Sequence, residues 1–291
     1  MSNVIIIGNG PAGISAALYT TRAGIDTIII GKDYGALGKA SEIENYYGFE
    51  QPISGKALIQ DGIAQAKRLG TKIISDEVLG ISYTDRLVVI TKEKEYSADS
   101  VIIATGSSRS TPSINGLKEF EGHGVSYCAV CDAFFYKGKD VAVLGNGEYA
   151  LHEALELLPT SNSVTLLTNG KQPSTVIPDK IIVNTNIIES FIGNDLLNAV
   201  QFKNGGSLSI SGVFIAVGVA GSIDLAKKLG AATINNKIII DENMATNIPG
   251  LFAAGDCTGG LLQISKAVYE GAKAGTQVIK YLRSQNYKKS A

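Results

Sequence analysis

An α/β chain built from two Rossmann-like, three-layer nucleotide-binding domains is the fold this sequence predicts, and three observations carry the prediction. Two segments of the 291-residue chain resemble each other, each a short apolar strand, a glycine turn and a helix-like run. Two later apolar strands end alike, in Ala104-Thr105-Gly106 and in Ala216-Val217-Gly218. The length suffices for two compact domains, each burying its own core.

The first segment reads Val4-Ile5-Ile6-Ile7-Gly8-Asn9-Gly10-Pro11-Ala12-Gly13 and continues into Ile14-Ser15-Ala16-Ala17-Leu18-Tyr19. The second reads Val141-Ala142-Val143-Leu144-Gly145-Asn146-Gly147-Glu148-Tyr149-Ala150 and continues through residues 151–158. Each is the opening of a dinucleotide-binding unit. Any parallel α/β protein reuses such strands, so that plainer reading stands beside duplication. A further strand, Leu251-Phe252-Ala253-Ala254-Gly255-Asp256, is read as returning the chain to the first domain, with residues 262–282 as a closing helix. Boundaries are expected at Thr111-Pro112 and between Asp241 and Pro249. The first domain is then discontinuous, residues 1–110 and 242–291, around a central domain at 111–241.

Lysine and arginine number 26 against 27 acids, a balance without the basic surplus that displaces counterions from nucleic acid. The apolar start lacks the basic leader and length of a secretory signal, and no run is long enough to span a bilayer. Three cysteines are too few for a disulfide scaffold. The compartment expected is therefore the reducing cytoplasm, where a cysteine pair is redox-active or metal-binding.

The first turn has complete GxGxxG spacing. Gly8 permits the tight turn, Gly10 lets backbone approach a pyrophosphate, and Gly13 lets the helix pack on its strand, while the helix N-terminus offers amide donors. An acid is expected at the end of the second strand to hold ribose hydroxyls, but Thr27-Ile28-Ile29-Ile30 ends in Gly31 and Asp33 lies beyond. Spacing alone leaves open which dinucleotide binds.

Tyr127-Cys128-Ala129-Val130-Cys131-Asp132 is the most informative hexapeptide. A CxxC pair closes a small reactive disulfide. Zinc would need four ligands, and neither a second CxxC nor a His pair is present to complete them, His123 included; no metal is expected. Asp132 is read either as proton donor to a leaving thiolate or as a helix cap.

These motifs, with Phe134-Phe135-Tyr136 after the CxxC-Asp, Ile43-Glu44-Asn45-Tyr46-Tyr47-Gly48 and Ala253-Ala254-Gly255-Asp256, resemble the low-molecular-weight thioredoxin reductases across essentially the whole chain. The resemblance implies an FAD-dependent disulfide reductase fold, the first and last segments forming the FAD domain and the central domain carrying the cysteines and a nicotinamide nucleotide site. It implies that Gly8, Gly10, Pro11, Ala12 and Gly13 cradle the FAD pyrophosphate, that Asp256 contacts its ribityl-phosphate region, and that Ala104, Thr105, Gly106 and Gly255 belong to the FAD-binding residues. Asn45 would lie near the flavin and Gln263 beside its ring, with Leu262 in place of the family's arginine. Cys131 would face the flavin, and Cys128 would attack thioredoxin. A cytoplasmic homodimer is implied as well.

The chain departs from the family at the central nucleotide site. NADPH-dependent members carry His-Arg-Arg and a later arginine for the 2′-phosphate; residues 164–173 here contain no arginine. The helix expected next is reduced to residues 174–180, too short and interrupted by Pro178. Each missing charge-assisted phosphate contact removes about 1.5–3 kcal/mol. With this erosion the chain resembles the ferredoxin-dependent flavin thioredoxin reductases of anaerobic bacteria, which implies ferredoxin as donor. Lys266, Lys273, Lys280, Arg283, Lys288 and Lys289 then offer a basic docking face, or a merely solvated helix and tail. Alternative readings are an NADH- or deazaflavin-driven disulfide reductase and a non-catalytic FAD-binding electron relay. Cys257 is read as a small buried hydrophobe, His123 and His152 as surface or helix residues, and Tyr287 as part of an unstructured tail, with a flavin contact, as in some relatives, the alternative.

Overall fold

A computed structural model describes residues 2–106 and 112–290, and the side chains of residue 286 and residues 288–290 lie outside the description. The chain opens on β1 (Asn3–Ile7), whose Val4, Ile5, Ile6 and Ile7 are all buried. An unbroken apolar run suits a strand covered on both faces, because side chains pointing either way meet packed structure. α1 (Pro11–Arg22) starts on a proline, tolerated where the missing N–H has no helical partner. β2 (Asp26–Ile30), α2 (Gly55–Leu69) and β3 (Lys72–Ile74) follow. α2 is capped at both ends: Ser54 Oγ accepts the Ala57 N–H at 3.1 Å, and Gly70 closes it at φ 104°. Then come the meander β4 (Val78–Tyr83), β5 (Leu87–Thr91) and β6 (Glu95–Ala98), and β7 (Ser100–Ile103).

The next stretch repeats this plan. It contains β8 (Val125–Ser126), α3 (Ala129–Asp132), β9 (Asp140–Leu144), α4 (Glu148–Leu157), β10 (Ser163–Leu167) and β11 (Ile182–Asn184). The meander β12 (Ile188–Gly193), β13 (Leu197–Phe202) and β14 (Ser207–Ser209) leads to β15 (Gly212–Ile215). The chain ends with α5 (Ser222–Lys228), the hairpin β16 (Thr233–Ile234) and β17 (Lys237–Ile238), β18 (Leu251–Ala253) and α6 (Ile264–Ser290).

Two five-stranded parallel sheets result, in the orders β18-β7-β1-β2-β3 and β11-β10-β9-β15-β8. Each domain inserts its own antiparallel three-stranded meander before the last strand of the repeat. The α/β class and the duplication are thus present as expected. Among the described residues, no helix is long and apolar enough to cross a membrane.

Compactness divides the chain into residues 1–109 with 221–291, and residues 110–220. The outgoing boundary expected at Thr111 lies outside the described residues. The return comes at Gly221 rather than at 242, because α5 belongs with the first unit. There Ser222 Oγ donates to Gly106 O (3.3 Å) and Lys228 Nζ to Leu79 O (3.3 Å). Hydrophobicity alone did not mark α5, a seven-residue helix, as a member of either core.

The first unit's core gathers Val4, Ile6, Ile29, Ile102 and Phe252 from the sheet with Ala12, Ala16, Ala274 and Val278 from α1 and α6. α6 begins two residues later than expected and continues past residue 282, so Tyr287 stands on a helix. Its face toward α1 carries two glycines. A Cβ at Gly271 would lie 2.1 Å from Ala12 O, and one at Gly275 2.6 Å from Ala16 O. Ser15 Oγ adds a bond to Val268 O at 2.7 Å. Backbone carbonyls do not yield as side chains do, so a bulkier residue must push the helices apart. Gly271→Val is accordingly expected to destabilise the first unit by about 1–3 kcal/mol or more, read as a lowered thermal unfolding midpoint against Ala272→Val as control.

Candidate functional site

In the first unit, the turn from β1 to α1 is shaped by three glycines with different duties. Gly8 adopts φ 113° and donates its N–H to Ile30 O at 2.8 Å. A Cβ there would be 2.3 Å from Ala104 O, and one at Gly13 would be 1.9 Å from Gly8 O. These two glycines exist for packing. A Cβ at Gly10 would meet nothing within 4 Å. The space in front of Gly10 is open, and no side chain caps the start of α1. Uncapped amides at a twelve-residue helix N-terminus, facing open space, suit an anionic phosphate. Pro11 and Ala12 form the first turn of that helix. The missing acid also finds its reason. A Cβ at Gly31 would be 2.8 Å from Asn9 Cγ, so the end of β2 makes room for the Asn9 side chain. Asp33 accepts the Gly35 N–H at 2.7 Å and serves as a turn-former.

Other expected residues of this unit gather in two places. Asn45 Nδ2 donates to Gln263 Oε1 at 2.9 Å, joining positions 218 residues apart. Ala104 N–H donates to Ile7 O at 2.8 Å, with Thr105 exposed beyond it and Gly106 at φ 79°. The Gly255–Thr258 turn is held by groups the sequence reading did not single out for this role. Glu270 Oε2 accepts from Gly255 N–H and Thr258 Oγ1, both at 2.8 Å, and pairs with Lys266 at 2.9 Å. Lys266 Nζ donates also to Gly255 O at 2.7 Å and to Thr258 Oγ1 at 2.9 Å. Lys266 therefore does not belong to a basic docking face: it is committed to a largely buried clamp. Its i,i+4 spacing to Glu270 was legible in the sequence. Burial pushes the Asp256 carboxyl above the usual carboxylate range, Lys266 pulls it back and Glu270 adds to the rise.

In the second unit, Cys128 and Cys131 form a disulfide with Cα atoms 5.3 Å apart. Cys128 is the N-cap of α3, its Sγ accepting the Cys131 N–H at 3.2 Å. Ser126 Oγ accepts the Cys128 N–H (3.1 Å) and donates to Asp132 Oδ2 (2.7 Å). Asp132 makes no side-chain cap for the turn that follows it, so the capping alternative is not realised. Cys128 is 3% exposed, whereas Cys131 is exposed and flanked by Val130, Phe134 (80%) and Phe135 (67%). Burial raises the Tyr136 hydroxyl pKa, and neighbouring Asp132 adds to the effect.

The second glycine turn has the sequence of a nucleotide site but a different environment. A Cβ at Gly145 would be 2.2 Å from Ala216 O and 2.6 Å from Ala150 Cβ, a packing duty like that of Gly8. Gly147 lies beside Ser174, whose Oγ is 3.4 Å from where its Cβ would be. Ser174 donates to Asn146 O from its N–H (2.7 Å) and its hydroxyl (3.0 Å), and Asn146 Nδ2 donates to Gln172 O (3.2 Å). No helix forms at residues 174–180. The shortened segment instead bonds to the glycine turn itself.

Cys257 is buried, its thiol donating to Ala254 O at 3.3 Å. Desolvation pushes its pKa from 9.0 to about 12. A thiol protonated more tightly in the folded state stabilises below pH 9.0, and this contribution fades as pH climbs toward about 12. The native protein is expected to resist alkylation at Cys257 at pH 8, and Cys257→Ala to flatten the loss of stability between pH 9.0 and about 12 in denaturation curves.

Residues 2–271 match the family model for pyridine nucleotide-disulphide oxidoreductases. A thioredoxin reductase of Rickettsia prowazekii is 36% identical over 97% of this chain and 98% of its own length. The crystal structure of an atypical thioredoxin reductase from Desulfovibrio vulgaris Hildenborough superposes with a TM-score of 0.92 at 41% identity, covering 98% of this chain and 99% of its own. A ferredoxin-flavin thioredoxin reductase from Clostridium acetobutylicum superposes less tightly, TM-score 0.70 at 28% identity, over 97% and 98% of the two chains. The open Gly10 turn, the CxxC disulfide and these likenesses agree: the chain belongs to the pyridine nucleotide-disulphide oxidoreductase family and, within it, to the FAD-binding thioredoxin reductases of low molecular weight.

Proposed function

We propose that this flavoprotein reduces thioredoxin through FAD and the Cys128–Cys131 disulfide, drawing its electrons from ferredoxin rather than NADPH. The observation that carries the choice of donor is the second glycine turn. Residues 172–174 bond to Asn146 where a pyrophosphate would need access, and residues 164–173 offer no arginine to a 2′-phosphate. The ferredoxin-flavin enzyme of Clostridium acetobutylicum is a precedent for such a donor on this fold.

The first unit fits FAD. The amides at the start of α1 and the open face of Gly10 would hold the pyrophosphate, with Ala104–Gly106 and the Gly255–Asp256 turn around it and Asn45 with Gln263 toward the ring. FAD, when bound, supplies a group that accepts electrons and passes a pair to a disulfide. The protein's part is to orient and to move protons. Reducing the disulfide consumes two electrons and two protons and leaves a thiol on each cysteine. Asp132, fixed by Ser126, is the proton donor to the departing sulfur. Cys128 then attacks the thioredoxin disulfide, and Cys131 resolves the mixed disulfide, releasing dithiol thioredoxin. Because Cys128 is 3% exposed in the disulfide form, this order requires its sulfur to be uncovered after reduction. Val130, Phe134 and Phe135 give the partner an apolar rim around the exposed Cys131. Acidic ferredoxin would meet Lys280 and Arg283 on α6, with Lys288 and Lys289 further on, where side chains lie outside the described residues. The cytoplasmic homodimer completes the reading.

Anaerobic bleaching of the bound flavin with NADPH, NADH and reduced ferredoxin in turn, thioredoxin disulfide present, tests the donor. Bleaching and turnover with ferredoxin alone are expected; rapid bleaching with NADPH would overturn the assignment. The order of attack is tested by trapping. Cys131→Ser should accumulate a mixed disulfide between Cys128 and thioredoxin on non-reducing gels, and a stable adduct formed instead by Cys128→Ser would reverse the roles.

A further inference from the structure

Glu153 is a carboxylic acid on the wrong face of its helix. It lies on the buried side of α4 with Tyr149, Ala150, Ala154 and Leu157, and is 1% exposed. A leucine there would gain by burial, whereas a carboxyl loses its hydration unless protein hydrogen bonds replace it. Its Oε2 accepts the N–H of Ala129 at 2.8 Å. Ala129 is the first of the two residues between the cysteines, and its amide is the first N–H of α3, which has no partner inside that helix. The preceding amide, that of Cys128, is held by Ser126 Oγ. Consecutive amides of the redox ring are thus anchored by side chains from two elements, β8 and α4. Nothing in the local pattern marks it, since Glu153 falls within an ordinary helix-forming run.

We propose that Glu153 is a positioning residue for the redox couple, holding the turn between the cysteines in the shape that closes the disulfide. The proposal rests on reading Cys128–Cys131 as the redox pair. Reduction by a dithiol breaks the Cys128–Cys131 bond and leaves a thiol on each residue, while the reductant closes its own disulfide; two electrons and two protons pass. With the covalent bond gone, non-covalent anchors keep the sulfurs adjacent. The Ala129–Glu153 bond is one of them, and it raises the effective concentration of one thiol at the other. Loosening it favours the open dithiol.

The test is the thiol–disulfide equilibrium of the FAD-loaded protein in dithiothreitol buffers of graded redox ratio, read by alkylation and mass spectrometry of Cys128 and Cys131. Glu153→Asp withdraws the acceptor by one methylene but keeps the carboxyl, so folding is retained. Glu153→Gln keeps a carbonyl oxygen at full reach. Glu153→Asp is expected to move the equilibrium toward the dithiol about five- to tenfold, the worth of one hydrogen bond that no longer forms, while Glu153→Gln, which keeps an oxygen acceptor at full reach, stays within about twofold of wild type. An equilibrium unchanged in Glu153→Asp, even with a lowered thermal midpoint, would overturn the role, as would Glu153→Gln shifting as far as Glu153→Asp. A wild-type disulfide that dithiothreitol does not reduce at any ratio would overturn the redox reading beneath it instead.

Discussion

How closely α1 approaches the backbone around it decides the larger unit. On one side Gly13 leaves no room for a Cβ beside Gly8 O, and Gly8 none beside Ala104 O; on the other, Gly271 and Gly275 leave none beside Ala12 O and Ala16 O. Backbone meets backbone at all four places, and only glycine permits that. The consequence is a helix whose first turn is fixed in space while a Cβ at Gly10, within the same turn, would meet nothing within 4 Å. Rigid placement of helix N-terminal amides favours an anion without any charged side chain. The Lys266–Glu270 pair works to the same end, fixing the neighbouring Gly255–Thr258 turn from the start of the helix that carries Gly271.

The second glycine turn repeats the first in sequence but is differently engaged. Gly145 keeps its packing duty against Ala216 and Ala150, so it persists whether or not a nucleotide binds. The chain after β10 has no helix to carry it across to β11, and it bonds instead to Asn146. Two turns of nearly the same sequence therefore differ in their surroundings: a Cβ at Gly10 would meet nothing within 4 Å, whereas Ser174 stands 3.4 Å from where one at Gly147 would be.

The cysteine pair joins exposure with restraint. Cys131 and the aromatic residues after it face outward, while Cys128 and the amides behind it are tied into the buried structure by Ser126 and Glu153. A thiol couple held in this way has one sulfur open to chemistry and one kept within the fold.

Periodicity and glycine spacing made both parallel sheets, both turns and the CxxC pair legible in the sequence, because these depend on residues close together along the chain. The absence of arginines after β10 was legible for the same reason. What the sequence left open was decided by contacts between distant positions. Gln263 meets Asn45, Lys266 is withdrawn from the surface by Glu270, and Asp132 is claimed by Ser126. α5 joins the first unit through Gly106 and Leu79, so the chain returns at Gly221. Glu153 could not be told from any other helical glutamate until α4 was laid against α3. Local pattern states what a segment is able to form; which of its polar atoms lose water, and which partner replaces it, is determined only when separate segments are packed together.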